Sequence, residues 1–163
     1  NSENNAGIAA KENQAVFGGM YEVINAIIAA VSQALNAEFG DAYAIYTEQI
    51  AQGLQEPCFF VACVNPTNRL FLDKRYFREN QFCLQYFPAV TGRAREECNA
   101  VAERLYWCLE HISVAGDLTR GLKMRYEVVD DVLNFFVNYD MFVYRLDNTP
   151  AMGELAEKVN MKG

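Results

Sequence analysis

The chain has 163 residues, 52% of them hydrophobic and 13% aromatic, with a formal net charge of -7. That length and composition fit one domain with a substantial core, and the acidic balance argues against binding nucleic acid or an anionic membrane, whose surfaces attract clustered Lys and Arg. No apolar run approaches the ~20 residues that span a bilayer, and the N-terminus lacks a basic-then-apolar signal pattern, so the expected location is the cytosol in which the chain is made.

Residues 1–19 are polar and Asn-rich and read as an arm or leader. From Tyr21 to Phe39 the apolar positions Ile27, Ile28, Val31, Leu35 and Phe39 recur at three-and-four spacing, which predicts an amphipathic helix stopped by Gly40. Tyr43 to Thr47 alternates as a short strand does, and a polar loop leads to Pro57. Cys58 to Val64 is apolar on both parities, as a strand covered on both faces would be, and the turn Asn65-Pro66-Thr67-Asn68 ends it. Leu70 to Lys74 and Gln81 to Phe87 continue the β pattern. Between them Arg75-Tyr76-Phe77-Arg78-Glu79-Asn80 mixes charge with aromatics and reads as either a wide turn or a strand.

A second amphipathic helix is expected from Arg95 to Ile112, with Cys98, Val101, Ala102 and Leu105 inward and Gly116-Asp117 closing it. Leu122 to Leu146 then reads as a long hairpin turning at Asp130-Asp131. In its second arm Leu133, Phe135, Val137, Tyr139, Met141 and Val143 share one parity, so one face is apolar throughout. The other parity is polar at Asn134, Asn138 and Asp140 but aromatic at Phe136, Phe142 and Tyr144. Run straight from Val132 to Leu146 at ~3.3 Å per residue, this arm would reach about 50 Å, whereas a domain of this size is roughly 40 Å across. The strand must bend at a bulge or leave the domain to meet another chain. After Pro150, Met152 to Val159 forms a weak helix or a tail. The order helix, strands, helix, hairpin gives an α+β fold, a mostly antiparallel sheet with two helices on one face. The divisions expected are an arm at 1–19, the α+β domain at 20–147 and a tail or short helix at 148–163.

Candidate chemistry is sparse. The five cysteines, Cys58, Cys63, Cys83, Cys98 and Cys108, are odd in number and contain no CxxC pair, so they are expected to be reduced and buried rather than bridged or bound to zinc. His111, the single histidine, with Cys108 and Tyr106 makes the one reactive cluster an enzyme or ligand-binding domain could use. A helix-end histidine serving the dipole is the plainer reading. Asp130-Asp131 suit a turn, and Glu96-Glu97 suit the first turn of a helix, better than paired catalytic carboxylates. No phosphate-binding, metalloprotease or hydrolase motif occurs. No catalytic residue, cofactor or metal is expected.

The strand EPCFF, the turn NPTNRLF, the segment KRYFRENQF and the strand LNFFVNYD carry a wider likeness, covering roughly Met20 to Arg145. In these pieces the chain resembles tail terminator proteins encoded by phages and prophage-like elements of Gram-positive bacteria. The resemblance implies a small α+β subunit of a structural, usually hexameric ring that caps a finished tail tube and offers a surface to head or neck proteins. It implies a virion tail or tail-like particle assembled in the bacterial cytoplasm, with the tube protein and connectors as partners, no membrane and no specific nucleic acid, although DNA would pass through the ring. A head-to-tail joining protein is the alternative of similar size and architecture. A closed ring needs a different patch on each side of its subunit, and interfaces favour Tyr, Phe and Arg. Arg75, Tyr76, Phe77, Arg78, Phe136, Phe142 and Tyr144 are therefore the expected interface residues. Cover from the second helix or the terminal segment is the competing account of Phe136 and Phe142.

Overall fold

The computed structural model describes residues 22–49 and 52–145 and the backbone of strand β1 (Gln14–Ala15). The rest of the expected arm at 1–19, and the tail or weak helix at 148–163, lie outside the described residues. The body is a five-stranded sheet of β2 (Ala44–Tyr46), β3 (Cys58–Pro66), β6 (Asn80–Phe87), β10 (Val132–Asn138) and β9 (Leu122–Val129), in the order β2-β3-β6-β10-β9. Only the β2–β3 pair within it is parallel. The fold is α+β.

Register explains how one face became the core. Phe59 and Leu133 both lie opposite Tyr86, Val61 and Phe135 both opposite Leu84, and Phe135 opposite Tyr126, so these side chains form rows across neighbouring strands. Helix α1 (Val23–Phe39) buries Val23, Ile27, Ala30, Val31, Leu35 and Phe39, the stripe that a period near 3.6 puts on one side. It stops at Gly40, whose φ of 77° suits a residue without Cβ and whose N–H bonds the Asn36 carbonyl at 2.9 Å. Helix α2 (Ala94–Cys108) buries Cys98, Val101, Ala102 and Leu105. Phe39 of α1 meets Phe59, with ring centroids 4.9 Å apart, and Tyr106 of α2 meets Phe135 at 5.1 Å. Both contacts fall on the same sheet face. Arg104 of α2 ties the helices together, bonding the Glu38 carboxylate at 2.9 Å and its carbonyl at 2.7 Å while stacking over Phe39.

The second helix is shorter than expected. It ends at Cys108, and His111 and Ile112 begin β7 (His111–Val114), which pairs with β8 (Asp117–Arg120) across a turn where Ala115 has φ 50° and Gly116 φ 87°. Gly116-Asp117 therefore turns a hairpin instead of ending a helix. Thr67-Asn68 carries the turn assigned to Asn65–Asn68, because β3 runs on to Pro66 through a bulge that turns Val64 outward.

The long hairpin turns at Asp130-Asp131, with φ of 51° and 60°, the left-handed pair of a type I′ turn. Its second arm does not run straight. After Asn138 the chain breaks at Tyr139-Asp140 and resumes as β11 (Met141–Tyr144) in a different sheet, whose order is β1-β11-β5-β4 with β4 (Arg69–Leu72) and β5 (Arg75–Arg78). The undecided segment at Arg75 is thus a strand, paired antiparallel to β11. Parity survives the break, since Leu133, Phe135, Val137, Tyr139, Met141 and Val143 are all buried.

Candidate functional site

The small sheet adjoins the end of the body where β3, β6 and β10 end or begin. Pairing sets Phe142 opposite Phe77 and Tyr144 opposite Arg75, and alternation puts these four on one face. Asp73, at φ 53°, makes the tight turn joining β4 to β5. A bulge in β4 inserts Phe71 as an extra residue between the Leu70–Tyr76 and Leu72–Arg75 pairs. Its ring then lies edge-on to Phe142 at 5.1 Å, and the tilted Phe77 ring meets Phe142 at 5.0 Å. The Arg75 guanidinium sits 4.0 Å above the Phe142 ring and 5.4 Å from Phe71, and Arg69 lies 5.7 Å from Phe77. Cation–π attraction holds the planar charges on the aromatic faces. Leu70, Phe71 and Leu72 are 57%, 55% and 68% exposed, an unusual run of large apolar groups on an outer strand. On the reverse face Met141 and Val143 enter the core and Tyr76 packs against it.

A buried polar knot joins this arm to the body. The Asp140 carboxylate accepts the Asn80 N–H at 3.1 Å and the Asn138 amide at 3.5 Å, while the Asn80 amide donates to the Tyr139 carbonyl at 3.0 Å. Burial raises the Asp140 carboxyl above the usual range, the Asn80 and Asn138 donors and Lys123 pull it back, and Glu79 pushes it further up. Asn80 and Asn138 each bury an Oδ1 with no hydrogen-bond partner. Beneath the knot Tyr139 donates its hydroxyl to the Leu109 carbonyl at 2.7 Å.

A family model described as phage tail terminator protein matches residues 26–151. The chain belongs to that family. No curated protein matches the chain. Tail terminators are structural proteins of the phage tail, so this one has a structural role there, in contact with other tail and head proteins. Among the described residues no helix is long and apolar enough to cross a membrane.

In this terminator, Arg75, Phe77, Phe142 and Tyr144 converge on one face, and Tyr76 and Arg78 occupy the reverse of the same strand. Desolvation lowers the Arg78 pKa, partly offset by nearby Cys63. Phe136 does not join them. It stands on the face of the main sheet away from α1 and α2, where the Arg125 guanidinium covers its ring at 4.1 Å. Among the described residues neither helix reaches Phe136, and Phe142 is covered by its own arm; the terminal segment lies outside the described residues. Arg69 and Phe71 complete the arm face and were not foreseen. Their signal was RLFLDKRYFR, in which the Asp73-Lys74 turn folds two matching Arg-aromatic strands together.

The reactive trio is dispersed. Tyr106 packs on Phe135 and Tyr126, and His111 is exposed on β7 opposite Arg120, without the helix-end role expected of it. Burial pushes the Cys108 thiol up to about 12, with Glu38 adding to the rise and Arg104 opposing it, so it stays protonated at neutral pH. Cys58 and Cys98 are buried, whereas Cys63, Cys83 and Cys108 are only half-buried. Glu97 has a structural task beyond the helix dipole, accepting the Tyr86 hydroxyl at 2.5 Å and the Ala89 N–H at 3.3 Å.

Proposed function

We propose that this subunit assembles into a ring, expected to be hexameric, which caps the tail tube at its head-proximal end and presents the attachment surface for head or neck proteins. The observation that carries the reading is the arm sheet, whose Arg-aromatic face and exposed Leu70, Phe71 and Leu72 have the composition of a protein interface. Arg75, Tyr76, Phe77, Arg78, Phe142 and Tyr144 serve this interface from the arm, and Phe136 serves it from the sheet face away from α1 and α2. Residues 20–147 form the ring-building domain, with 1–19 and 148–163 as arm and tail. The role is mechanical and needs no catalysis, cofactor or metal. The particle is a virion tail or a tail-like particle assembled in the host cytoplasm, and DNA passes through the ring without sequence-specific contact. Negative-stain imaging of the purified protein, alone and with tail tubes, tests this. Rings seated at one end of the tubes are the expected result, and a monomer that leaves tube ends bare would refute it.

A further inference from the structure

The two ends of the main sheet carry opposite surfaces. At the arm end, Arg69, Lys74 and Arg75 outnumber the single carboxylate Asp73 on the hairpin that carries the exposed Leu70 and Leu72. At the far end, where β6 finishes and the β9–β10 hairpin turns, lies an open cleft of about 680 Å³. Its wall contains Phe87 and the 95% exposed Val90, and its rim carries Glu56, Glu96, Asp130 and Asp131 against two cations, Arg93 and Arg95. The eight residues of β6 separate the two surfaces, roughly 26 Å at ~3.3 Å per residue.

We infer that the arm tip of one subunit seats in this cleft of the next copy of the chain. Two complementarities support a second copy as the occupant. Exposed leucines meet an exposed valine and a phenylalanine edge, and a net basic tip meets a net acidic rim, in a chain whose overall charge of -7 would otherwise make copies repel. The placement matters as much as the chemistry. Matching patches at opposite ends of a subunit suit a heterologous, head-to-tail contact, which makes a ring where its rotation closes. The inference rests on the ring reading and names the contact that builds it.

Charge reversal tests it. Arg69→Glu with Lys74→Glu makes the tip acidic, and Glu56→Lys with Glu96→Lys makes the rim basic; all four positions are exposed, so the fold should tolerate them. Each double variant alone should associate roughly a hundredfold more weakly than wild type, because like charges then face each other. Mixed in equal amounts, they should recover a multimer, since every junction is again between opposite charges. Sedimentation mass is the readout. A wild-type multimer whose reversed variants keep its mass, or whose mixture fails to recover it, overturns the tip-to-cleft contact and leaves the ring reading standing. A wild type that stays monomeric even with tail tubes overturns both. A second pair, Leu72→Asp and Val90→Asp, probes the apolar half of the contact at exposed positions. Each must weaken association by itself, and wild-type mass in either refutes the seat.

Discussion

At the scale of single residues the most consequential position is Asp140, a carboxylate 6% exposed at the point where the chain changes sheets. Because burial raises its pKa, the folded state holds a proton that the unfolded chain releases at lower pH. Its unfavourable contribution is absent below the ordinary carboxylate pKa, grows as pH rises through the window between unfolded and folded values, and is complete above the folded value. Asp140→Asn keeps an acceptor for the Asn80 N–H and removes the charge. The variant is expected to be more stable than wild type at neutral pH and to lose that advantage on acidification, as followed by denaturant midpoints. A variant no more stable at neutral pH would contradict this account. Gly121 is constrained differently. A Cβ there would lie 2.6 Å from the Leu109 carbonyl oxygen and 3.0 Å from Val137 Cγ2. Gly121→Ala should therefore cost about 1–3 kcal/mol, the usual penalty for overpacking, measured by chemical denaturation.

At the scale of elements, adjacent residues of β10 answer to opposite environments. Phe135 is fully buried between the sheet and α2, and Phe135→Ala should cost about 3–5 kcal/mol of folding stability. Phe136 carries Arg125 across its ring on the face away from α1 and α2, so Phe136→Ala should cost about 1 kcal/mol in the isolated chain. Equal losses in a denaturation series would show that this face is covered. The hairpin turn offers a gain, since Asp131 holds φ 60°. Asp131→Gly completes the Asp-Gly pair that type I′ turns favour and should add about 0.5–1 kcal/mol, read as a raised melting temperature. Much of this layer was legible, because a period of two in Leu133 to Val143 and a period near 3.6 in Val23 to Phe39 are direct prints of burial. The end of α2 was not. Leu109 and Ile112 continue a helical spacing while His111 to Val114 alternates for only four residues, too short a run to outweigh it. That the arm could not run straight followed from its length, but unbroken apolar parity through Tyr139 hid where the sheet changes; the polar pair Asn138 and Asp140 was the trace of the place.

At the scale of the whole molecule, the family and the α+β fold could be read from sequence, while the arm could not be resolved as a separate sheet. Its signal is divided between RLFLDKRYFR and MFVYR, which lie more than sixty residues apart. Phe142→Ala combined with Tyr144→Ala tests the arm in assembly. Light scattering should show a subunit that no longer multimerises, because aromatic anchors at an interface centre carry about 2 kcal/mol or more each. The isolated chain should keep its fold, since both rings are half-buried and outside the core cluster. A variant that unfolds as a monomer would place these rings in the core. The route of the chain adds a mechanical consequence. β3 leads into β4, β5 into β6 and β10 into β11, each across a few residues at most. A pull on the arm would be transmitted through covalent backbone into strands at the middle of the body. Because all three strands would be drawn the same way, the load passes by shear to the flanking β2–β3 and β9–β10 ladders, where several hydrogen bonds share the force at once instead of opening one by one.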